Sequence, residues 1–261
     1  MVSIVTPSFN QGRFLEQAIR SVLEQDYPNI EYLVVDGGST DGSVDTIRRY
    51  AERREGRRIA WWVSERDGGQ ATAINKGFAR ATGKILAWLN SDDTYLPGAI
   101  SGAVAFLHDH PEAGMVYGDA FLTDEAGKVL GPFPARQTDY RRIRRGSVHI
   151  PQQASFFRAE LLRKVGPLDV SFNYALDFEL WVRFARESTL LYHPRPWATY
   201  RLHGQGKTLK CDDRFYPEML RVHRREGGTW RSQLVLKAFV RPLVYAWLPL
   251  RLRLLLRRML T

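Results

Sequence analysis

Apolar runs and amphipathic stretches alternate regularly over the first 119 residues of this 261-residue chain. The apolar runs have the length of buried strands and end in polar turns, and the stretches between them repeat apolar residues with helical spacing. Strand, turn and helix in repeated succession are typical of βαβ units and a parallel sheet. The pattern predicts strands at 2–6, 32–36, 59–64, 85–89 and 115–119, and helices at 11–25, 43–50, 71–80 and 97–108.

The second half of the chain has a less regular pattern and contains no internal repeat. The arginine-rich stretch 136–145 carries five arginines against one aspartate and is predicted to be a mobile basic loop. Apolar segments on either side of it predict shorter elements that complete the α/β domain. These are a hairpin at 121–130, a strand at 154–157, helices at 159–165 and 175–185, and a last strand or extended arm at 199–203.

Polar residues follow four of the predicted strands, at 7–10, 36–41, 65–70 and 90–93. Ligands of open α/β sheets bind beyond the carboxyl ends of the strands, so these segments are expected to meet at one rim. The neighbouring carboxylates Asp92 and Asp93 repel each other unless a cation joins them, and Mg²⁺ or Mn²⁺ suits oxygen ligands. The alternative is that they cap the helix near Pro97. Carboxylates at three of the four strand ends favour a binding site.

Two common phosphate-binding patterns are absent from the sequence. Neither Gly-x-Gly-x-x-Gly nor Gly-x-x-x-x-Gly-Lys-Ser/Thr occurs at a strand–helix turn. The sequence therefore supports neither a dinucleotide fingerprint nor a P-loop.

Eight short segments, in order along residues 2–208, together resemble one known family. They are 7–10, 36–42, 65–70, 75–77, 89–93, 152–158, 176–181 and 200–203. They are similar to segments of the inverting glycosyltransferases of family 2, which have the GT-A fold. The resemblance implies a Rossmann-like α/β fold with a mostly parallel central sheet flanked by helices. It also implies a nucleotide-sugar donor, most often a UDP-sugar, and a divalent metal, Mn²⁺ or Mg²⁺.

The resemblance also assigns roles to residues at the strand ends. The segment 90–93 matches the DxD-type motif, in which Asp93 binds the metal, and His203 matches a histidine that reaches the metal or the diphosphate. A divalent cation stabilises the charge that develops on a nucleoside diphosphate leaving group. The residues expected to bind the donor are Pro7, Ser8, Asn10, Asp36, Asp41, Glu65, Asp67, Gln70, Asn75, Lys76, Asn90 and Asp92.

In the acceptor half, Asp177 matches the general base of the family. A carboxylate there would take the proton from the attacking acceptor hydroxyl, and one displacement would invert the anomeric configuration. The alternative is that Asp177 caps its helix while Glu179 is a solvated neighbour. Glu179 is the reserve base if the helix phase is misjudged, and His149 and Gln152 are expected to line the acceptor side.

The sequence departs from the family pattern after the second strand. The family often has two successive aspartates there, and the second contacts the nucleoside. Here the pair is Asp36 and Gly37, so Asp41, Glu65 and Asp67 are the substitutes for that contact. The motif Gln-x-x-Arg-Trp of processive synthases does not follow Asp177, so transfer of a single sugar is expected.

The excess of positive charge is concentrated in the last 31 residues. The net charge of the chain is +10, and the segment 231–261 has seven basic residues and no acidic one. Its basic amphipathic pattern, with Trp247 nearby, predicts a helix lying in an anionic membrane interface. Packing on the protein's own surface or on a partner is the alternative. No nucleic-acid-binding motif accompanies the arginines, so nucleic acid is not an expected partner.

The sequence thus predicts a GT-A domain at 1–230, with a nucleotide-sugar half at 1–119 and an acceptor half at 120–230. A basic membrane-associating tail follows at 231–261. The expected protein is a cytoplasmic enzyme at the inner face of the cell membrane that adds one sugar to a glycan or lipid-linked acceptor in surface polysaccharide synthesis. A single cysteine fits a reducing compartment. The rivals are a sugar nucleotidyltransferase and a catalytically silent membrane adaptor on the same scaffold.

Overall fold

The computed structural model describes residues 1–239 except 54, 55, 57, 147, 148, 205, 207–211, 231, 233 and 237. Most of the predicted tail, 231–261, therefore lies outside the described residues. In the part of the chain that is described, no helix is both long enough and apolar enough to cross a membrane.

Strands and helices alternate in the first half, as the sequence predicts. The capping alternative for residues 91–93 is wrong, because the following helix begins at Ala99 with Gly98 as its N-cap residue. A short strand that the sequence did not predict lies between residue 93 and this helix. The elements are β1 (Val2–Ser8), α1 (Gly12–Leu23), β2 (Ile30–Asp36), α2 (Ser43–Ala51), β3 (Trp61–Ser64), α3 (Gln70–Arg80), β4 (Ile85–Trp88), β5 (Thr94–Tyr95) and α4 (Ala99–Asp109).

The second half contains the predicted hairpin, strand and helices, and also two elements that differ from the prediction. The last strand begins ten residues earlier than residue 199, and a further helix follows it. The elements are β6 (Ala113–Thr123), β7 (Val129–Phe133), α5 (Tyr140–Ile143), a 3₁₀ turn (Gln152–Ala154), β8 (Ser155–Arg158), α6 (Ala159–Val165), α7 (Leu176–Glu187), β9 (Thr189–Arg201) and α8 (Asp212–Arg225).

The strands of the described residues form a single sheet in the order β3-β2-β1-β4-β8-β6-β9-β5, with β7 paired to β6. The first four strands in that order are parallel to one another. β8 joins them antiparallel to β4, and β5 returns to pair with β9. The predicted division between residues 119 and 120 falls inside β6, so the two halves share one sheet.

Helices cover both faces of this sheet. One face packs against α1, α2 and α4, and the other against α3, α6, α7 and α8. On the second face the rings of Trp88 in β4 and Trp181 in α7 stack with their centroids 5.3 Å apart. Gly77 lies close to β1, where an added Cβ would be 2.4 Å from Val5 Cγ1. The glycine of the segment 75–77 therefore allows α3 to approach the sheet.

The predicted mobile basic loop at 136–145 is instead an anchored segment. Asp139 accepts a hydrogen bond from Arg142 N at 2.9 Å and caps α5, and Ile143 is fully buried. Arg144 O lies 2.8 Å from His223 Nδ1 in α8. The segment is folded because apolar and backbone groups between its arginines find partners, a pattern that a count of charges does not reveal.

Candidate active site at the strand ends

The loops after β1 and β2 are tied to each other at the rim of the sheet. Asn10 adopts a left-handed conformation, with φ 51°, and its Oδ1 accepts a hydrogen bond from Thr40 N at 3.0 Å. Asp41 Oδ2 accepts from Gly12 N at 2.8 Å. Asn10 and Asp41, both predicted to bind the donor, thus also hold the two loops together. Beneath them, Pro7 is buried in β1, and among the described residues Ser8 Oγ has no hydrogen-bond partner.

Asp36 is fully buried and both of its carboxylate oxygens are occupied within the protein. Oδ2 accepts hydrogen bonds from Gly38 N at 3.0 Å, from Ser39 N at 2.8 Å and from Ser64 Oγ at 2.7 Å. Oδ1 accepts from Ser39 Oγ at 2.5 Å. The side chain thus shapes the loop after β2, and the expectation that Asp36 binds the donor directly stays a prediction.

Asp67 lies where the missing second aspartate would have placed its side chain. A Cβ added to Gly37 would be 3.4 Å from Asp67 Oδ2 and 3.2 Å from Phe9 Cδ2. Asp67 Oδ1 accepts from Gly69 N at 2.8 Å, which fixes the carboxylate there. Of the other two predicted substitutes, Asp41 joins the two loops, and Glu65 forms an ion pair with Lys76. Asp67 is the substitute that the geometry supports.

Three side-chain amides form a chain of hydrogen bonds, here called the amide relay, that joins the start of α3, the loop after β4 and the 3₁₀ turn of the second half. Gln70 Nε2 donates to Asn90 Oδ1 at 2.8 Å, and Asn90 Nδ2 donates to Gln152 Oε1 at 3.1 Å. Gln152 Nε2 donates to the carbonyl of Trp88 at 2.8 Å. Because a carbonyl only accepts, Trp88 fixes the orientation of all three amides in turn. The structure thus brings together Gln70, Asn90 and Gln152, which the sequence predicted to lie in the site.

Asn75 binds the backbone of a distant turn. Its Nδ2 donates to Leu168 O at 2.8 Å, and its Oδ1 accepts from Leu168 N at 2.9 Å. This pair of bonds joins α3 to the turn before residue 169. The amide therefore has a structural role, and the expectation that Asn75 binds the donor stays a prediction.

The adjacent aspartates and His203 meet at the centre of the rim. Asp93 is 1% exposed, and its Oδ1 accepts from Arg201 N at 3.0 Å. Its Oδ2 is buried and has no hydrogen-bond partner in the described part of the chain. His203 Nε2 lies 2.9 Å from Asp92 Oδ2. Burial, reinforced by the nearby charge of Asp92, raises the pKa of Asp93 well above its usual range. The pair is therefore poor at holding two negative charges without a cation.

The geometry is compatible with a divalent metal that takes only part of its coordination from the protein. No group of three or more His, Cys, Asp or Glu side chains within the described residues forms a metal-binding cluster. Mg²⁺ is commonly bound through one or two carboxylates together with substrate phosphates and water. Asp93 Oδ2, buried and without a partner among the described groups, is the protein atom best placed to bind such an ion, with Asp92 and His203 beside it.

Arg201 is a site residue that the sequence analysis did not assign. It is 4% exposed, and its Nε donates to Asp92 O at 2.9 Å. Its Nη1 donates to Glu125 O at 2.8 Å, and its Nη2 donates to Gln17 Oε1 at 2.6 Å. The guanidinium thereby links the aspartate turn to α1 and to the β6–β7 hairpin. Its position in the segment 200–203 was the available signal, but its contacts come from distant parts of the chain.

Asp177 lies in the first turn of α7 and is half-buried. Ala175 and not Asp177 occupies the N-cap position, but Asp177 Oδ1 accepts a hydrogen bond from Phe178 N at 2.8 Å within the first turn, so its predicted role as the base stays a prediction. Residues four apart in a helix share a face, so Asp177 lies on the side of Trp181, whose ring stacks on Trp88 at the end of β4. This arrangement places Asp177 one turn closer to the helix N-terminus, toward the rim that carries Asp93.

Glu179 is not the solvated or reserve residue that the sequence analysis expected. It is 1% exposed. Its carboxylate pairs with Arg183 Nη2 at 2.6 Å and with Arg225 Nη2 at 2.7 Å. Both carboxylate oxygens are thus held in ion pairs within the protein, and the pair with Arg225 joins α7 to α8. His149 is half-buried, and its carbonyl accepts from Arg136 N at 3.1 Å, while its predicted acceptor role stays a prediction.

Solved structures of glycosyltransferases share this fold. The structure of Staphylococcus aureus TarS residues 1–349 with UDP-GlcNAc matches 89% of this chain and 67% of its own, with a TM-score of 0.70 and 16% identity. The mannosyltransferase PcManGT of Pyrobaculum calidifontis, in complex with GDP-Man and Mn²⁺, matches 99% of this chain and 79% of its own, with a TM-score of 0.64 and 20% identity. At these identities the likeness establishes the GT-A fold.

Sequence comparisons identify the family. An uncharacterized glycosyltransferase of Mycobacterium tuberculosis is 35% identical over 189 residues, covering 70% of this chain and 68% of the relative. A PGL/p-HBAD biosynthesis glycosyltransferase of Mycobacterium bovis is 29% identical over 184 residues, covering 70% of this chain and 69% of the relative. The family model of glycosyl transferase family 2 matches residues 3–166. This chain is therefore a glycosyltransferase that belongs to glycosyl transferase family 2.

Proposed function

We propose that this enzyme transfers one sugar, with inversion, from a nucleotide-sugar donor in a metal-dependent reaction. The observation that carries the proposal is the group formed by Asp92, Asp93 and His203. A buried carboxylate oxygen without a partner among the described residues lies there at the carboxyl ends of the parallel strands. The diphosphate of a donor is expected at this place, and a cation there would offset the negative charge of the carboxylates and of the diphosphate.

The donor half offers contacts suited to a nucleoside. Phe9 is 61% exposed beside Gly37, and a base can stack on such a ring. Asp67, held by Gly69 N, presents its other oxygen beside the same glycine and can accept hydrogen bonds from a base or a ribose. The structural neighbours bind UDP-GlcNAc or GDP-Man, so a UDP-sugar or a GDP-sugar is the donor class proposed here.

In the proposed reaction, Asp177 takes the proton of the acceptor hydroxyl while the hydroxyl oxygen forms a bond to the anomeric carbon of the donor sugar. The bond from that carbon to the phosphate oxygen breaks, and its electron pair leaves with the nucleoside diphosphate. Attack opposite to the leaving group inverts the configuration. A bound divalent cation supplies charge stabilisation to the leaving diphosphate. Positioned proton transfer contributes about 10²–10⁴-fold to such a rate. The lack of a Gln-x-x-Arg-Trp motif after Asp177 supports the transfer of a single sugar.

We also propose that the enzyme binds the inner face of the cell membrane, where a lipid-linked acceptor for surface polysaccharide synthesis would be reached. The 140–146 segment carries the exposed Arg141 and Arg145, and Gly146 packs against Leu234. In the chain on either side of Leu234, Trp230 is 76% exposed, Leu236 is 64% exposed and Phe239 is 69% exposed. Basic and aromatic side chains on one surface favour an anionic membrane interface, and the basic segment 231–261 continues from it.

Vesicle sedimentation tests the membrane part of the proposal. The wild type should bind vesicles that contain phosphatidylglycerol and not neutral phosphatidylcholine vesicles. Reversing two charges with Arg141→Glu and Arg145→Glu should weaken binding at least tenfold, since each basic residue contributes about 1 kcal/mol. The control is Arg48→Glu in α2, an exposed arginine on the opposite face of the sheet. Equal binding by the charge-reversal protein and the control would contradict the proposed surface.

Calorimetric titration with UDP and with GDP tests the donor site. Binding of one nucleotide should require Mn²⁺ and should be lost in Asp93→Asn. The matched control, Asp109→Asn, alters an exposed aspartate at the end of α4 and should bind like the wild type. Nucleotide binding that is independent of both Mn²⁺ and Asp93 would contradict a metal-dependent site. Release of pyrophosphate from a nucleoside triphosphate would instead identify a nucleotidyltransferase.

A further inference from the structure

We propose that Glu218, in α8, is a positioning residue that holds the start of α7 and thereby sets the location of Asp177. The inference rests on the proposed role of Asp177 as the general base. Neither Glu218 nor the helix that carries it belongs to the segments whose pattern resembles the family.

The carboxylate of Glu218 binds three successive backbone N–H groups immediately before α7. Its Oε2 accepts from Ala175 N at 2.8 Å and from Tyr174 N at 2.8 Å. Asn173 N donates to Oε1 at 3.0 Å and to Oε2 at 3.1 Å. The N–H groups at the start of a helix lack partners within the helix, and negative charge is favourable there. The bound N–H groups belong to the N-cap residue Ala175 and to the two residues before it, so Glu218 fixes the chain where it enters α7.

Two arginines on the same helix reinforce this attachment. Arg221 Nη2 donates to Ser171 O and to Ser171 Oγ, each at 3.0 Å, and its guanidinium lies 3.6 Å from the centroid of the Phe172 ring. Arg225 pairs with Glu179 in α7. Positions 218, 221 and 225 follow the i, i+3, i+7 spacing of one helix face. This face of α8 therefore contacts both the 169–175 loop and α7.

The 169–175 loop also borders the donor side of the rim. A Cβ added to Gly69 would lie 3.9 Å from Asn173 Oδ1, and Gly69 directly precedes Gln70 of the amide relay. Asp177 follows the last anchored N–H by two residues. The three bonds to Glu218 thus fix the backbone between the donor side and the carboxylate of Asp177.

A general base must lie within hydrogen-bond reach of the group that it deprotonates, at about 2.6–3.2 Å between the two heavy atoms. A displacement of about 1 Å in an active site can reduce a rate by about 10²-fold. Loss of the three bonds would allow the start of α7 to move. The expected consequence is a lower rate of the chemical step with little change in donor binding.

The test compares Glu218→Gln with the wild type, using the release of UDP or GDP from a panel of UDP- and GDP-sugars in the presence of Mn²⁺. The substitution keeps the size of the side chain but removes its negative charge. It also replaces one of the two accepting oxygens with an NH₂ group, which cannot accept from a backbone N–H. We expect kcat to fall about 10–100-fold while the KM for the donor changes less than about threefold. Glu218→Asp, which keeps the charge but is shorter, should retain more activity than Glu218→Gln.

Glu226→Gln is the control, because Glu226 directly follows the same helix and contacts Tyr140 at 2.8 Å and Arg225 at 3.3 Å rather than the 169–175 loop. Its kcat should stay within about twofold of the wild type. Backbone amides of 173–175 should exchange with deuterium faster in Glu218→Gln than in Glu226→Gln. Equal rates of turnover and of exchange in the two variants would refute the positioning role.

A double-mutant cycle separates positioning from a general structural effect. If Glu218 acts through Asp177, adding Glu218→Gln to Asp177→Asn should lower kcat by less than about twofold further. If the two substitutions instead lower kcat by the product of their separate effects, Glu218 does not act through Asp177. The proposed transferase function would still stand in that case. A wild type that releases neither nucleotide from any of the sugars would overturn the proposed function itself, and the role of Glu218 with it.

Discussion

Replacing Gln152 with glutamate tests the orientation of the amide relay. Gln152 is 9% exposed, donates to Trp88 O and accepts from Asn90 Nδ2. A protonated carboxyl group reproduces this pattern, because its O–H can donate to the carbonyl while its other oxygen accepts. An ionised carboxylate cannot donate and would face the Trp88 carbonyl with a second acceptor. Gln152→Glu should therefore destabilise the protein only when the new group is ionised.

The expected magnitude follows from the lost bond and the burial. A net hydrogen bond is worth about 1 kcal/mol, and a buried group without its partner costs about 1–3 kcal/mol, so a loss of about 2–4 kcal/mol is expected at pH 8. The folded-state pKa of the introduced group is then raised above its unfolded value of about 4.3 by roughly two units. Destabilisation is absent below about pH 4.3, grows as the pH rises and reaches its full value above the folded-state pKa.

Urea denaturation of Gln152→Glu, wild type and Gln152→Met between pH 5 and pH 8 provides the measurement. The stability difference between Gln152→Glu and the wild type should widen over this range. Gln152→Met also removes the donor but cannot ionise, so its difference from the wild type should stay constant. A constant difference for Gln152→Glu would refute the proposed amide orientation, and so would an equal pH dependence in Gln152→Met.

Three further substitutions test other contacts. In Arg201→Lys, the smaller set of donors reaches only one of the three acceptors of Arg201. Mn²⁺-dependent nucleotide binding, measured by calorimetry, should therefore weaken about tenfold or more. Unchanged affinity would contradict the role of Arg201 at the aspartate turn. Gly77→Ala places a Cβ 2.4 Å from Val5 Cγ1 and should destabilise the protein by about 1–3 kcal/mol in urea, whereas wild-type stability would contradict the close approach. Asn75→Ala removes both bonds to Leu168 and should cost about 2 kcal/mol. The nucleotide affinity of Asn75→Ala should match that of the wild type. A loss of affinity in the folded protein would support the predicted donor-binding role of Asn75.

The parallel part of the sheet could be predicted from sequence because its signals are local. Each parallel strand and each helix from residue 2 to residue 109 has its own apolar pattern, and the βαβ rule then brings the strand ends together. β9 was largely missed because Pro194 and Pro196 interrupt its apolar pattern, and the pairing with β6 shifts register at that point. α8 was missed because Pro217 lies inside it and many of its positions are charged.

The members of the site could be predicted better than their roles. Asp36 and Asp67 both lie at strand ends and look equivalent in the sequence. Asp36 is buried beneath its own loop, whereas Asp67 lies beside Gly37. Ser64 supplies one of the bonds that occupy Asp36, and it comes from a different strand. Likewise, the side chain of Asn75 donates a hydrogen bond to the backbone of Leu168, which lies 93 residues away in the sequence. Such assignments depend on long-range contacts that periodicity cannot reveal.

The shared sheet constrains how this enzyme can be divided or recombined. Cutting the chain between residues 119 and 120 would split β6, and it would remove the strands that pair with β4 and β5. Unpaired edges of this kind favour aggregation, so the first 119 residues are not a module that can be expressed or exchanged by itself. A change of donor preference, whether engineered or evolved, is therefore more accessible through the loops at the strand ends than through transfer of a whole half from a relative.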